Sequence, residues 1–510
     1  MIPGSFALID DPLLALKVRC HWIRHARERI QAQYYSWEED SSGKLLLSEL
    51  LHAARRGVKV QLLVDDLYAG DNRFLEMVAH YPGIEVRLFN PFWLRGWRPL
   101  ALLLEGLLSF RRINHRMHNK LLLVDGKLAL IGGRNIGDRY FGLDPQAPFV
   151  DLDLACQGWL CQQMAQGFEQ FWHSRWSHPI RHLLRRELLP AEIEVVNDFL
   201  FTMTDPAVAT VYDLPAALFD ERALPLQWHE GRAEVWFDRP GKGLISRPTT
   251  ARQLWRQLAD NPGSLGLVTP YLILTRGFRH RLARLRQQGV AIDILTNSLA
   301  STDVPLVYGA YQRYLGWLLR RGIRVTEFDH GHGSLHAKLI LLGGERALFG
   351  SLNLDPRSLF LNTELMLHLH CPPICEALRM WLARWQEQAG GLPRKPEGWS
   401  RRLIARLSGW LLRRGIRVAE FDHGHGSLHA KLILLGEERA LFGSLNLDPR
   451  SLFLNTELML HLHCPPICEA LRTWLAHWQE QAGGLPRKPE GWSRRLIARL
   501  SDWLPLRRWL

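Results

Sequence analysis

Three times in this chain a histidine is followed two residues later by a lysine, and fifteen residues after that by an asparagine. The sets are His118, Lys120 and Asn135; His336, Lys338 and Asn353; and His429, Lys431 and Asn446. Residues two apart on a strand share a face, so each His and its Lys are expected to look into one space. The glycine-containing returns GGRN and GSLN then bring the Asn back beside them. The third set belongs to a longer repeat, because residues 317 to 409 recur at 410 to 502 with a constant offset of 93 and five differences: Thr326/Ala419, Gly344/Glu437, Met380/Thr473, Arg384/His477 and Gly409/Asp502. Such near-identity marks a duplication and does not resemble a solenoid, whose units are shorter and more divergent. The copied unit begins at Trp317 and lacks every strand from AEVWFD to DILTNS, so a complete lobe cannot be built from it.

The first two sets sit in similar surroundings. IQAQYYSW reads as a strand, GKLLLSELLHAARRG as an amphipathic helix ending at Gly57, and VKVQLLVDD and IEVRLFN as further strands. HNKLLLVDGKLALIGG then reads as a hairpin, its Asp125-Gly126 pair suited to a two-residue turn. The order returns from about residue 232: AEVWFD, LGLVTPYLIL, the helix RGFRHRLARLRQQG, VAIDILTNS, a helix, IRVTEF and HAKLILLGGERALFGS. Strands alternating with helices predict an α/β fold with mixed sheets flanked by helices. Two lobes of one design, 1–180 and 231–409, predict an internal pseudo-dimer, with 181–230 a Pro- and Leu-containing linker and 410–510 a partial duplicate of the second lobe.

Two such sets facing each other would gather two imidazoles, two ammonium groups and two carboxamides around one cavity. That chemistry suits a phosphodiester. Lys120, Lys338, Asn135 and Asn353 would hold the non-bridging oxygens and stabilise developing charge. One histidine would attack phosphorus to form a phosphohistidine while the other protonates the leaving alcohol, and the acid would then act as base on the incoming alcohol or water. The lysines supply the positive charge, so no metal or other cofactor is called for. A single His or Lys on a strand is usually structural; the recurrence of the set in two lobes is what singles these out. His429, Lys431 and Asn446 are then spare, and are expected to be inactive in the intact protein.

At these residues the sequence resembles the phospholipase D superfamily, whose motif is HxKx4D followed by GG or GS and an Asn. His118, Lys120 and Asp125 fit it fully, while the odd spacing of Asp125 from His118 and its place at a turn point to a structural role that a Gly-Gly turn could fill. His336 and Lys338 are followed by Gly343 where the family has Asp. Within the superfamily QYYSWEED, RRINHRMHNK, GGRNIGDRYF, ILTNSLASTDV and GSLNLDPRSLFLNTE resemble bacterial cardiolipin synthases of the C type. The resemblance implies two phospholipase D-like lobes, with His118, Lys120, Asp125, His336 and Lys338 catalytic. It further implies that Asp151 and Glu364 hydrogen-bond the opposing or neighbouring catalytic histidine, fixing its tautomer and stabilising the imidazolium. The implied reaction is a phosphatidyl transfer that makes cardiolipin from phosphatidylglycerol and a second, donor phospholipid. Relatives hydrolyse lipids or nucleic acids on the same site, and that remains the alternative. His118 is taken as the nucleophile and His336 as the acid and base, although sequence does not set their order.

A balance of 64 Lys+Arg against 51 Asp+Glu leaves +13 and suits an anionic partner. The start, MIPGSFALIDDPLL, has acids before any apolar run and predicts no signal peptide. The longest apolar runs fall short of the roughly 20 residues of a membrane span. A peripheral position on the cytoplasmic face of the bacterial membrane is therefore expected. Two segments fit a membrane interface: NPFWLRGWRPLALLLEGLLSFRR, with Trp93, Arg95, Trp97 and Arg98, and the basic amphipathic pattern of 398–415, copied in part at the chain end. No basic stripe interleaved with stacking aromatics lies outside these Leu-rich segments, so nucleic acid is not expected as a partner. The sequence names no accessory protein. Cys371 and Cys375, in CPPIC beside His368 and His370, lack a usual zinc spacing and read as buried free thiols.

Overall fold

An apolar strand buried on both faces feeds alternate side chains to two cores. The strand Leu121–Val124 does this, sending Leu121 and Leu123 to one cluster and Leu122 and Val124 to another. The strand Leu339–Leu342 repeats it with Leu339 and Leu341 against Ile340 and Leu342. Burying each such side chain contributes about 2 kcal/mol. The pair of strands therefore anchors both lobes.

The computed structural model describes residues 1–69, 72–92, 110–183, 189–220, 222, 224–259, 262–329, 333–388, 431–435, 439–443 and 459–463. It divides into two compact units, Met1–Arg401 and Arg402–Leu510. The expected interfacial segments at 93–109 and 398–415 lie outside the described residues.

In the first unit the leading lobe contributes β1 (Ile2–Ile9), β2 (Arg29–Tyr34), β3 (Lys59–Asp65), β4 (Ile84–Phe89), β5 (Leu121–Val124), β6 (Leu128–Gly132), β7 (Phe149–Val150), β8 (Asp153–Gln157) and β9 (Ser177–Pro179). The second lobe contributes β10 (His229–Phe237), β11 (Ser264–Val268), β12 (Ala291–Asn297), β13 (Arg324–Phe328), β14 (Ser334–Leu335), β15 (Leu339–Leu342), β16 (Arg346–Gly350) and β17 (Leu365–His370). Fifteen of these form one mixed sheet, ordered β13-β12-β11-β15-β16-β17-β10-β1-β8-β6-β5-β2-β3-β4-β9. From the central β1·β10 pair outward the two halves mirror each other: β17, β16, β15, β11, β12, β13 on one side match β8, β6, β5, β2, β3, β4 on the other. The pseudo-dimer is thus a single continuous sheet. One core cluster draws on both halves, with Leu121, Leu154, Leu339 and Leu367 among its members and the helices Leu160–Trp172 and Pro372–Gln388 over it.

The helix Ser41–Arg55 starts where Asp40 accepts from the Gly43 N–H. The expected strand LGLVTPYLIL stops at Val268, just before Pro270, which has no amide hydrogen to donate to a ladder. Within 181–230 the chain forms helices Pro190–Thr202 and Pro206–Val211, each opened by a proline in its first turn. Leu200, Met203, Ala209, Leu214 and Leu218 of this stretch are buried in the first lobe's core, so the segment read as a linker packs as part of that lobe.

In the second unit the strands Lys431–Leu435, Arg439–Gly443 and Met459–His463 form an antiparallel sheet. Arg439 pairs with His463 as Arg346 pairs with His370, so the copy keeps the register of its original.

Candidate active site

Each His-x-Lys stretch enters its hairpin strand from a short segment that pairs with the opposite lobe. Met117 bridges to Thr363, and the His118 N–H donates to the Thr363 carbonyl at 3.0 Å. In the other lobe β14 pairs with β7, Leu335 opposite Val150, and the His336 N–H donates to the Val150 carbonyl at 2.8 Å. Thr363 and Val150 are each followed by an acid. Glu364 Oε2 therefore lies 2.9 Å from His118 Nδ1, and Asp151 Oδ2 lies 2.6 Å from His336 Nδ1. The carboxylate for each imidazole comes from the opposite lobe, which sequence left open between opposing and neighbouring.

Lys120 Nζ donates to the His118 carbonyl at 2.8 Å; Lys338 Nζ donates to the His336 carbonyl and sits 2.8 Å from His336 Nδ1. Both histidines are 6% exposed and both lysines 2%. Burial first, then Lys120, Lys338 and Arg357, hold His118 well below the usual imidazole range. Burial and Lys338 bring His336 to about 4, opposed by Asp151. Burial and Lys338 also hold Lys120 well below the usual ammonium range, and burial brings Lys338 itself to about 8. The cross-lobe carboxylate contacts join the two sets in one site, and the cations of one lobe accordingly depress groups of the other.

The two carboxylates differ. Burial opposes ionisation of Asp151, but Lys338, His336 and Arg134 together outweigh it and hold the acid at about 2. Burial dominates at Glu364 and raises it to about 7, although Lys242, Lys120 and the hydroxyls of Ser351 and Ser358 favour its anion. The second glycine of GGRN has a local reason: a Cβ on Gly133 would lie 2.2 Å from Asp151 Oδ1. Its counterpart Ser351 instead donates a hydroxyl to the longer Glu364.

Asn135 donates from Nδ2 to the Tyr140 hydroxyl at 2.9 Å and accepts at Oδ1 from the Ser36 N–H. Asn353 Oδ1 is buried with no hydrogen-bond partner among the described residues. Asp125 is placed apart from this set. It follows β5, at the end opposite His118, and its carboxylate accepts from the N–H groups of Arg27, Glu28 and Arg29 at 2.8–3.0 Å. Of the two readings of Asp125, the catalytic one that the motif implies and the structural one that its spacing and turn position suggest, the geometry favours the second: it holds the hairpin turn, at φ 53°, against the start of β2. Gly343 has φ 66° at the matching turn, and a Cβ there would meet the Pro262 carbonyl at 2.7 Å, so this turn has no room for an Asp. The departure from HxKx4D leaves the buried cluster untouched. Lys431 is the first residue of its strand; His429 and Asn446 lie outside the described residues.

Sequence reading missed the aromatic walls. Tyr35 meets His118 edge-on at 5.0 Å, while Tyr140 and Phe149 pack on His336 at 5.3 and 4.9 Å. The signal that could have found them was position, since Tyr35 directly follows β2 and Phe149 lies two residues before Asp151.

The family described as "Cardiolipin synthase, PLD-like domain" matches residues 20–172, 256–385 and 395–478. Cardiolipin synthase C of Escherichia coli (strain K12) is 36% identical over 393 residues, 71% of this chain and 81% of that protein. Cardiolipin synthase 1 of Staphylococcus epidermidis is 25% identical over 376 residues, 73% of this chain and 66% of that protein. The crystal structure of phosphatidylserine synthase from Haemophilus influenzae Rd KW20 shares the fold with a TM-score of 0.57 at 13% identity, covering 81% of this chain and 95% of that one. With matches across both lobes and two facing His-x-Lys sets, the chain belongs to the cardiolipin synthase-like family and is a phosphatidyltransferase-type enzyme of the phospholipase D superfamily.

Proposed function

We propose that this enzyme makes cardiolipin, transferring a phosphatidyl group from a donor phospholipid to the free primary hydroxyl of phosphatidylglycerol through a phosphohistidine. The observation that carries the reading is the pair of imidazole–carboxylate contacts, each made across the lobes, around two buried lysines. With Nδ1 held by a carboxylate, Nε2 is the ring nitrogen left for chemistry.

His118 is the nucleophile in this reading. Asp151 stays ionised and can stabilise an imidazolium on His336, whereas Glu364, near 7, carries less of a full charge toward His118. The bound phosphate anion joins Asp151 in favouring protonation of His336; His118 attacks phosphorus, the P–O bond to the leaving alcohol breaks, and the protonated His336 donates the proton that alcohol needs. The acceptor hydroxyl then gives its proton to His336 and attacks phosphorus, the P–N bond breaks, and His118 returns neutral. Lys120 and Lys338 neutralise the non-bridging oxygens, and Asn353 can donate to them from Nδ2. No described helix is long and apolar enough to cross a membrane, and we place the enzyme at the cytoplasmic membrane surface, where its lipid substrates lie.

Incubating the full chain with micelles of labelled phosphatidylglycerol tests the reading. Labelled cardiolipin with release of glycerol is expected. Phosphatidic acid alone, or cleavage of added DNA without cardiolipin, would favour a hydrolase instead.

A further inference from the structure

The pseudo-symmetry extends past the motif residues to an arginine in each lobe. Four residues beyond Asn135 is Arg139, and four beyond Asn353 is Arg357. The two arginines are used differently. Arg139 stacks on the Phe149 ring at 4.3 Å and donates from Nε to the Ala147 carbonyl, so its guanidinium is committed to the wall around His336. Arg357 makes no side-chain hydrogen bond or ion pair among the described residues, and its Nε is sealed from solvent without a partner. Its backbone is nonetheless fixed: Asp355 Oδ1 accepts from the N–H groups of Arg357 and Ser358, and Ser358 donates its hydroxyl to Glu364, the partner of His118. Tyr35 packs on His118 and the half-exposed Tyr68 packs on Tyr35, and the positive charge of Arg357 acts on all three rings.

Arg357 is partly exposed, so its guanidinium is open to an incoming anion, and a buried Nε that no acid hydrogen-bonds carries a desolvation cost that such an anion can offset. The transferred phosphoryl group already has two lysines. Cardiolipin formation, however, brings a second phosphodiester into the site, because the attacking hydroxyl belongs to a lipid that carries its own phosphate on the same glycerol unit. Resting on the function proposed above, we propose that Arg357 binds the phosphate of the acceptor lipid, and so directs the phosphatidyl group to a phospholipid alcohol in preference to a neutral one. A planar guanidinium fits two phosphate oxygens at once, which an ammonium cannot do. Tyr35 and Tyr68 would flank the acceptor headgroup on its way from the rim to His118.

The test is competition between acceptors. The full chain is given micelles of labelled phosphatidylglycerol with butanol, and cardiolipin is measured against phosphatidylbutanol. Both products need the same donor step, so their ratio isolates the acceptor. Arg357→Gln should lower that ratio about tenfold, as expected for losing a charged hydrogen bond. Arg357→Lys should recover part of it and raise the KM for phosphatidylglycerol as acceptor. If both products fall together at a constant ratio in the two variants, Arg357 serves the transferred phosphoryl or the fold, and the assignment is wrong. Wild-type protein that forms phosphatidylbutanol but no cardiolipin would instead overturn the function itself, and the acceptor role with it.

Discussion

Asp125 and Gly343 show how a motif position can belong to the fold and not to the chemistry. The carboxylate of Asp125 ties three backbone N–H groups, and those hydrogen bonds lower its pKa against the opposing effect of burial. Asp125→Asn should therefore cost about 1 kcal/mol in denaturant unfolding while leaving kcat within about twofold. Restoring the family's residue by Gly343→Asp should not improve activity; it should destabilise by about 1–3 kcal/mol, because a Cβ meets Pro262 in left-handed backbone. A rise in kcat with Gly343→Asp would contradict this account. The histidines and lysines were legible in sequence because their spacing is local and repeated. The hydrogen bond from Ser351 to Glu364 and the edge of Tyr35 on His118 were not, since each depends on where the backbone returns in space.

The unit of function is the short segment before each hairpin, which borrows its carboxylate from the other lobe. Glu364 is 246 residues from His118 and Asp151 is 185 from His336, a pairing that no local pattern encodes. The strands and helices flanking each motif were readable from alternation and turn residues, whereas β1, β8, β17 and the helices Pro12–Arg24, Leu160–Trp172 and Pro372–Gln388 were not. The 190–219 helices were not, because they bury only a few scattered side chains against the first lobe. The two carboxylates should also respond differently to amide substitution. Asp151→Asn removes a full charge from an imidazole that must carry a proton and should lower kcat about a hundredfold or more. Glu364→Gln replaces a group near 7 and should cost roughly tenfold, with pre-steady-state kinetics separating the two. Equal losses in the two variants would remove the basis for assigning His118 as the nucleophile.

At the scale of the molecule, the first unit holds two His-x-Lys-Asn sets around one continuous sheet, while the duplicated sequence carries a third set without counterparts of the segments AEVWFD to DILTNS. Duplication was plain in the sequence; that two lobes would join edge to edge through β1 and β10 was not, because the pairing depends on tertiary register. We propose that the copy is a bystander to catalysis. The most direct measurement is trapping of the labelled enzyme intermediate by an alkaline denaturing quench, followed by peptide mapping at alkaline pH, on the full chain and on residues 1–401. The account predicts an acid-labile, base-stable phosphohistidine at His118 in both proteins, lost in His118→Ala and unaffected by His429→Ala. Label at His429, or cardiolipin formed at the wild-type rate by His118→Ala, would contradict it.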